Sequence, residues 1–320
     1  MSPDAQLSTP NSRYDQTMIA AIFPGQGSQK PGMGQSLCEG SAAARAVFDE
    51  VSESLHTDVA KLCFESDEET LRATQNAQMA LFTCGVAAYR ALQEAGIKAE
   101  AFAGHSIGEY AAHVCAGNIP LEVGVMLVRK RGNVMAEAGT LAPGTMAAVL
   151  GLDSIAIKVV LKKIPGIVVV ANDNCPGQVV ISGEISAIEA AGPILTEAGA
   201  KRVLPLNVSG AFHSPLMLEP SKQMARTLAN VDFAFGKPVY SNVTAETVEN
   251  PNVWNELLEQ QLRDSVRWTE TVQNMVGDGV TRFIECGVGS VLCGMIKRID
   301  STVTSSAVYD MESLAAVKTV

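Results

Sequence analysis

Apolar and polar positions alternate along this chain in blocks that read as strand and helix. Met18–Phe23 is a compact apolar run ending at Pro24-Gly25, which predicts a buried first strand. Ala42–Val51, a turn near Asp58–Phe64, and Asn76–Glu94 follow as helices whose Ala-, Met- and Leu-rich faces suit a core. Gly96 marks a turn, Ile97–Ala103 can form a short strand, and Ala-rich Glu109–Ala116 a helix. Pro120 then opens a helix running to about Ala138.

The next block predicts a strand at Thr145–Gly151, a helix at Ser154–Ile164, and strands at Ile167–Ala171 and Gln178–Gly183. A turn over Asn172-Asp173-Asn174-Cys175-Pro176-Gly177 joins those two strands. A helix at Ser186–Ala198 and a strand at Lys201–Asn207 complete a βαββαβ, ferredoxin-like order. Beyond it the pattern resumes with a strand at Pro238–Ser241, a helix at Val253–Leu262, a strand at Arg282–Glu285, a helix to about Arg298 and a last strand near Val303–Tyr309. The fold class is therefore α/β: a hydrolase-like layered α/β body, 18–141 with 208–320, carrying an inserted ferredoxin-like subdomain at 142–207. Residues 1–17 are polar and predict a disordered leader with no secretory signal.

Composition narrows the function classes. The chain has 320 residues, 47% apolar and 18% charged, enough for a sizeable core, and a formal charge of −10 with no basic stripe for nucleic acid. Its seven cysteines show no C-x-x-C pair, which points to reduced thiols in a cytoplasmic protein and to no metal site. No apolar run approaches the ~18 residues of a membrane span.

The chemistry gathers around Gly104-His105-Ser106-Ile107-Gly108-Glu109. A Gly-x-Ser-x-Gly between strand and helix is either a helix start with a serine cap or a nucleophile elbow. In an elbow the flanking glycines let strand and helix approach, Ser106 Oγ projects into open space, and the Ile107 N–H can meet an oxyanion. The loop Pro24-Gly25-Gln26-Gly27-Ser28-Gln29 matches neither a Walker pattern nor a dinucleotide fingerprint. It is either a plain connecting loop or one whose Gln26 supplies a second oxyanion donor. Arg131 falls amid apolar positions of its helix, so it either snorkels or needs a buried partner. Of four histidines, His105 points away from its neighbour Ser106 and His113 lies roughly 10 Å along the helix. As a base for Ser106 that leaves His56, read as a surface residue, and His213, in the Gly/Ser/Pro-bounded loop Ser209–Pro215.

The set Gly25-Gln26-Gly27-Ser28-Gln29, Gly104–Glu109, Arg131-Gly132, Gly177-Gln178-Val179-Val180-Ile181-Ser182-Gly183, Phe212-His213-Ser214 and Gln261…Val266-Arg267-Trp268 resembles the malonyl-CoA:acyl carrier protein transacylases, which include acyltransferase domains of polyketide synthases. The likeness runs from about Ile19 to Tyr309. It departs slightly at Ile107, where leucine is frequent, and at Cys286–Gly289, which lacks a proline often seen there. The resemblance implies that Ser106 is the acylated nucleophile and His213 its base and acid. It implies further that Arg131 grips the malonyl carboxylate, that Gln26 and Ile107 N–H groups form the oxyanion hole, and that the Gln261 carbonyl orients the histidine. It implies no bound cofactor, coenzyme A thioester as substrate, and an acyl carrier protein as partner to a monomer. Lys201-Arg202 and Lys297-Arg298 are either basic contacts for an acidic carrier or solvated surface charge. The alternative is an acyl hydrolase using the same Ser-His dyad.

Overall fold

The computed structural model describes residues 17–318, so the leader expected over 1–17 lies almost wholly outside the described residues. Five strands form one all-parallel sheet: β1 (Met18–Phe23), β2 (Ala101–Gly104), β7 (Val239–Tyr240), β8 (Val280–Cys286) and β9 (Thr304–Val308), in the order β7-β2-β1-β8-β9. Four strands form an antiparallel sheet: β3 (Thr145–Leu150), β4 (Val168–Cys175), β5 (Gln178–Gly183) and β6 (Arg202–Pro205), in the order β4-β5-β3-β6. With helices 154–161 and 185–197 between them, these are the expected ferredoxin-like elements.

Helices cover both faces of the parallel sheet, as its apolar central strands require. Along β1 the side chains alternate between two cores. Ala21 and Phe23 pack on the side of the long helix 74–94. Ala20 and Ile22 face Trp268, Val272 and Met275 of helix 268–277 and Leu292 and Ile296 of helix 291–299. Phe23 is in register with Gly104, so the loops leaving β1 and β2 emerge side by side at the carboxyl edge of the sheet. Ligands of open α/β sheets bind at such an edge.

Several expected boundaries move. The strand read at 97–103 begins only at Ala101. The stretch 172–175, read as a turn, is strand. β4 runs on to Cys175 and only Pro176-Gly177 turns. Its register on β5 shifts between Val170 and Asn172, where Ala171 is the extra residue. One added residue exchanges the faces of a strand. Val168 and Val170 therefore pack beneath helices 154–161 and 185–197, whereas Asn172 and Asn174 face the large body. Helix 218–228 had no counterpart in the sequence reading, nor had 35–40, 68–72, 268–277 and 311–318. The first was hidden by Pro220, which lies in the opening turn, where no N–H is required.

The small sheet is tied at β4 to the segment that leads into helix 268–277. Val266 N–H donates to Ala171 C=O at 2.8 Å and its own C=O accepts from Asp173 N–H at 2.9 Å. No helix among the described residues is long and apolar enough to cross a membrane.

Candidate active site

At the end of β2 the chain turns within three residues into helix 108–116. Ser106 sits in the left-handed region at φ 53°, a conformation costing about 1–2 kcal/mol for a residue with a Cβ. Two glycines make the turn possible by close approach. A Cβ on Gly104 would lie 1.9 Å from the Gly108 carbonyl carbon, and one on Gly108 would lie 2.2 Å from the Phe23 carbonyl oxygen. Buried Asn242, just past β7, clamps the turn. Its Oδ1 accepts from Ser106 N–H and its Nδ2 donates to Gly104 C=O, both at 2.7 Å.

His213 meets this serine from the opposite loop. Its Nε2 is 2.8 Å from Ser106 Oγ and its Nδ1 is 2.7 Å from the Gln261 carbonyl oxygen. A carbonyl can only accept, so Nδ1 carries the proton and Nε2 is left to accept from the serine hydroxyl. Burial, with Arg131 adding to it, lowers the His213 pKa to about 3, so the ring is neutral at physiological pH. No carboxylate hydrogen-bonds to it among the described residues. The backbone holds the ring in place, and His213 N–H donates to Leu262 C=O.

Arg131 is fully buried, which settles the open choice against snorkelling. Its Nη2 donates to Ser106 Oγ at 3.0 Å and to Gln261 Oε1 at 2.8 Å, and its guanidinium lies over the Tyr110 ring at 5.5 Å. Gln261 Nε2 in turn donates to Ser106 C=O at 2.9 Å and to Glu109 Oε2 at 2.5 Å. Burial raises the Glu109 carboxyl to about 8, against the pull of Gln261, Asn242 and Arg131.

Ser106 and His213 open into a cleft of about 560 Å³ between the two sheets. Gly25–Gln29, Gln26 among them, form one wall. Asn172, Asn174, Gln178 and Val180 of the small sheet form the other, and Val291, Leu292 and Met295 line it further. Ile107 is buried. The helix's hydrogen bonds begin at Gly108 N–H, which leaves Ile107 N–H outside the ladder. The other histidines stand apart. His56 is an exposed cap of helix 42–55, and His113 is buried against Trp254 and Phe233. His105 points away from Ser106 to Asn174 Oδ1 at 2.8 Å.

Asn242, Glu109 and the side chain of Gln261 are the parts that sequence reasoning missed. Glu109 carried a signal, an acid directly after the elbow on an otherwise apolar helix. Asn242 carried none.

A strained serine, a backbone-held neutral histidine and a buried arginine on the same oxygen make an arrangement suited to nucleophilic catalysis. A family model for the acyl transferase domain matches residues 21–318. This chain belongs to that family. It is 43% identical over 300 residues to the malonyl CoA-acyl carrier protein transacylase of Bacillus subtilis, covering 92% of this chain and 95% of that one. A crystal structure of an acyl carrier protein S-malonyltransferase from Vibrio cholerae superposes with TM-score 0.89 at 42% identity, over 94% of this acyltransferase and all of its counterpart. A malonyl-transacylase solved with its type II polyketide synthase acyl-carrier protein gives TM-score 0.91 at 39% identity, over 95% and 99% of the two chains.

Proposed function

We propose that this acyltransferase moves a malonyl group from malonyl-CoA to the phosphopantetheine thiol of an acyl carrier protein through an acyl-serine. The observation that carries the reading is the permanent cation of Arg131 standing 3.0 Å from Ser106 Oγ, with no carboxylate hydrogen-bonded to it among the described residues. An acyl chain ending in a carboxylate supplies the missing anion, and a bidentate pair fixes its direction. Ser106 Oγ attacks the thioester carbonyl and forms the new C–O bond while its proton passes to His213 Nε2. The oxyanion accepts from the Gln26 and Ile107 N–H groups. Collapse breaks the C–S bond, and the departing coenzyme A sulfur takes the proton from His213. The carrier thiol then gives its proton to His213 and attacks the ester. Ser106 leaves and recovers the proton, which predicts ping-pong kinetics.

The arginine does more than select. Burial chiefly holds His213 neutral in the free enzyme and the Arg131 charge adds to it, and a carboxylate bound to Arg131 offsets that charge just when the imidazolium must form. A substrate carrying its own anion thereby assists the base. Body residues 18–141 and 208–320 supply these groups in the proposed division, and the inserted 142–207 the facing wall. Lys201, Arg202, Lys297 and Arg298 are exposed and offer basic contacts to an acidic carrier, although Arg298 is already tied to Gln178 and Pro176. The enzyme is proposed to work as a cytoplasmic monomer with no resident cofactor.

The hydrolase alternative would release the same acyl-serine to water. The relatives, transacylases by name, favour transfer. Incubation with carrier protein and malonyl-, methylmalonyl- or acetyl-CoA, read by mass spectrometry, tests the choice. Malonylated carrier is expected; free malonate beside unmodified carrier refutes the reading.

A further inference from the structure

Behind the reacting groups lies a second layer of polar side chains with no access to solvent. Glu109, Arg131, Asn242 and Gln261 are all completely buried. Arg131 donates to Ser106 Oγ and Gln261 Oε1, and its guanidinium also faces Tyr110. Once Ser106 is acylated its oxygen becomes an ester oxygen, a poor acceptor. Gln261 Oε1, an amide carbonyl at 2.8 Å, then remains to locate the guanidinium.

An amide has two ends of nearly equal size, and only one of them can accept. If Gln261 turned over, its NH2 would face Arg131 Nη2, donor against donor. Two acceptors hold it the right way round by taking both hydrogens of Nε2: Ser106 C=O at 2.9 Å and Glu109 Oε2 at 2.5 Å. The first belongs to the strained elbow that has to bear the acyl group. The second is a side chain with no contact to the cleft. The same carboxyl also accepts from Asn242 N–H at 3.3 and 3.4 Å, which fixes its own plane.

We infer that Glu109 is a positioning residue: by accepting from Gln261 Nε2 it keeps Gln261 Oε1 turned to Arg131, and so sets where the guanidinium stands for an acyl group that carries a carboxylate. The inference rests on the acyl-transfer reading. It concerns an acceptor atom, so Glu109→Gln, which keeps one carbonyl oxygen at this place, is the conservative variant. Glu109→Leu removes both acceptors at similar volume.

Two rates of Ser106 modification separate this role from plain structural support: malonylation by malonyl-CoA, and labelling by an uncharged fluorophosphonate that has no use for the guanidinium. Glu109→Leu is expected to lower kcat/KM for malonylation about tenfold or more, chiefly through KM, with labelling changed less than about threefold. Glu109→Gln is expected to restore malonylation to within about threefold of the parent. Gln261→Met keeps the backbone carbonyl for His213 and removes the amide. Its malonylation should fall at least as far as in Glu109→Leu, and adding Glu109→Leu to it should bring no further loss. Should Glu109→Leu fail to fold, Gln261→Met against the parent carries the test.

Equal loss of malonylation and labelling in Glu109→Leu overturns the inference. So does parental malonylation in either Glu109→Leu or Gln261→Met, and so does a Glu109→Gln variant as impaired as Glu109→Leu. A parent enzyme that takes up no malonyl group at all would instead refute the acyl-transfer reading.

Discussion

Asn242 is the residue on which the strained elbow depends most, and its removal has a calculable cost. Asn242→Ala deletes two hydrogen bonds of 2.7 Å, leaving the part-buried Ser106 N–H and the buried Gly104 C=O without these partners. Each orphaned group costs about 1–3 kcal/mol. The left-handed turn at Ser106, itself about 1–2 kcal/mol uphill, loses the contact that opposes its relaxation. A total near 3 kcal/mol follows, and the melting temperature should fall by about 5 °C or more. Relaxation of the turn would carry Oγ off His213 Nε2, and a displacement of ~1 Å at such a contact costs on the order of 100-fold in rate.

Scanning calorimetry reads the first number, and single-turnover malonylation of Ser106 by rapid-quench mass spectrometry reads the second. Asn242→Asp sharpens the test. It keeps the acceptor for Ser106 N–H but sets a second oxygen against Gly104 C=O, a repulsion that protonation of the acid relieves. Asn242→Asp should therefore regain stability relative to Asn242→Ala as the pH falls from 7 to 5. An Asn242→Ala protein that melts within about 1 °C of the parent and acylates at the parental rate would show that the glycines alone hold the elbow, and the reasoning would fail.

Other expectations are independent of that clamp. Arg131→Ala should lower malonyl transfer to carrier by about 100-fold or more while sparing or raising acetyl transfer, because only the first substrate loses a charged partner; equal losses, measured with both thioesters, would make Arg131 structural. The acid limb of kcat/KM for malonylation should fall below pH 5, since burial and Arg131 hold His213 near 3 in the free enzyme; a limb near 6.5 would contradict this. His113 is likewise lowered to about 3 by burial. Its folded pKa lies below its unfolded value of 6.5, so its contribution to stability is complete above 6.5 and is lost as pH falls toward 3. His113→Phe should therefore lose less melting temperature than the parent between pH 7 and 5, and an unchanged slope would refute the assignment. Gly104→Ala should fail to give folded protein, because its Cβ would lie 1.9 Å from the Gly108 carbonyl carbon; a soluble, cooperatively melting variant would show that the turn can open.

How much of this was legible in the sequence follows from what each part rests on. Strands and helices whose apolar period is unbroken, such as Met18–Phe23 and the βαββαβ block, appear where the pattern put them because burial itself writes the pattern. Ser106, His213, Arg131, Gln26, Ile107 and Gln261 were all named, and the first three plus Gln261 converge through direct hydrogen bonds. The misses share one cause, which is that they depend on atoms brought together from distant segments. Asn172 and Asn174 looked like turn residues because asparagine favours turns. The register shift at Ala171 makes them strand residues facing the cleft, and no local pattern encodes where an extra residue will be absorbed. Asn242 lies 136 positions from the serine whose amide it holds, in a short Ser-Asn-Val stretch that reads as a loop. Gln261 was expected to act through its carbonyl, and does reach His213 that way. That its side chain also faces Arg131 and Glu109 follows from the helix end at Gln260, which turns backbone and side chain of one residue toward the same buried pocket. Spacing in the chain can propose a nucleophile, a base and an anion-binding cation. The acceptors that hold them in position are chosen by the fold, and they become visible only when each buried donor is followed to its partner.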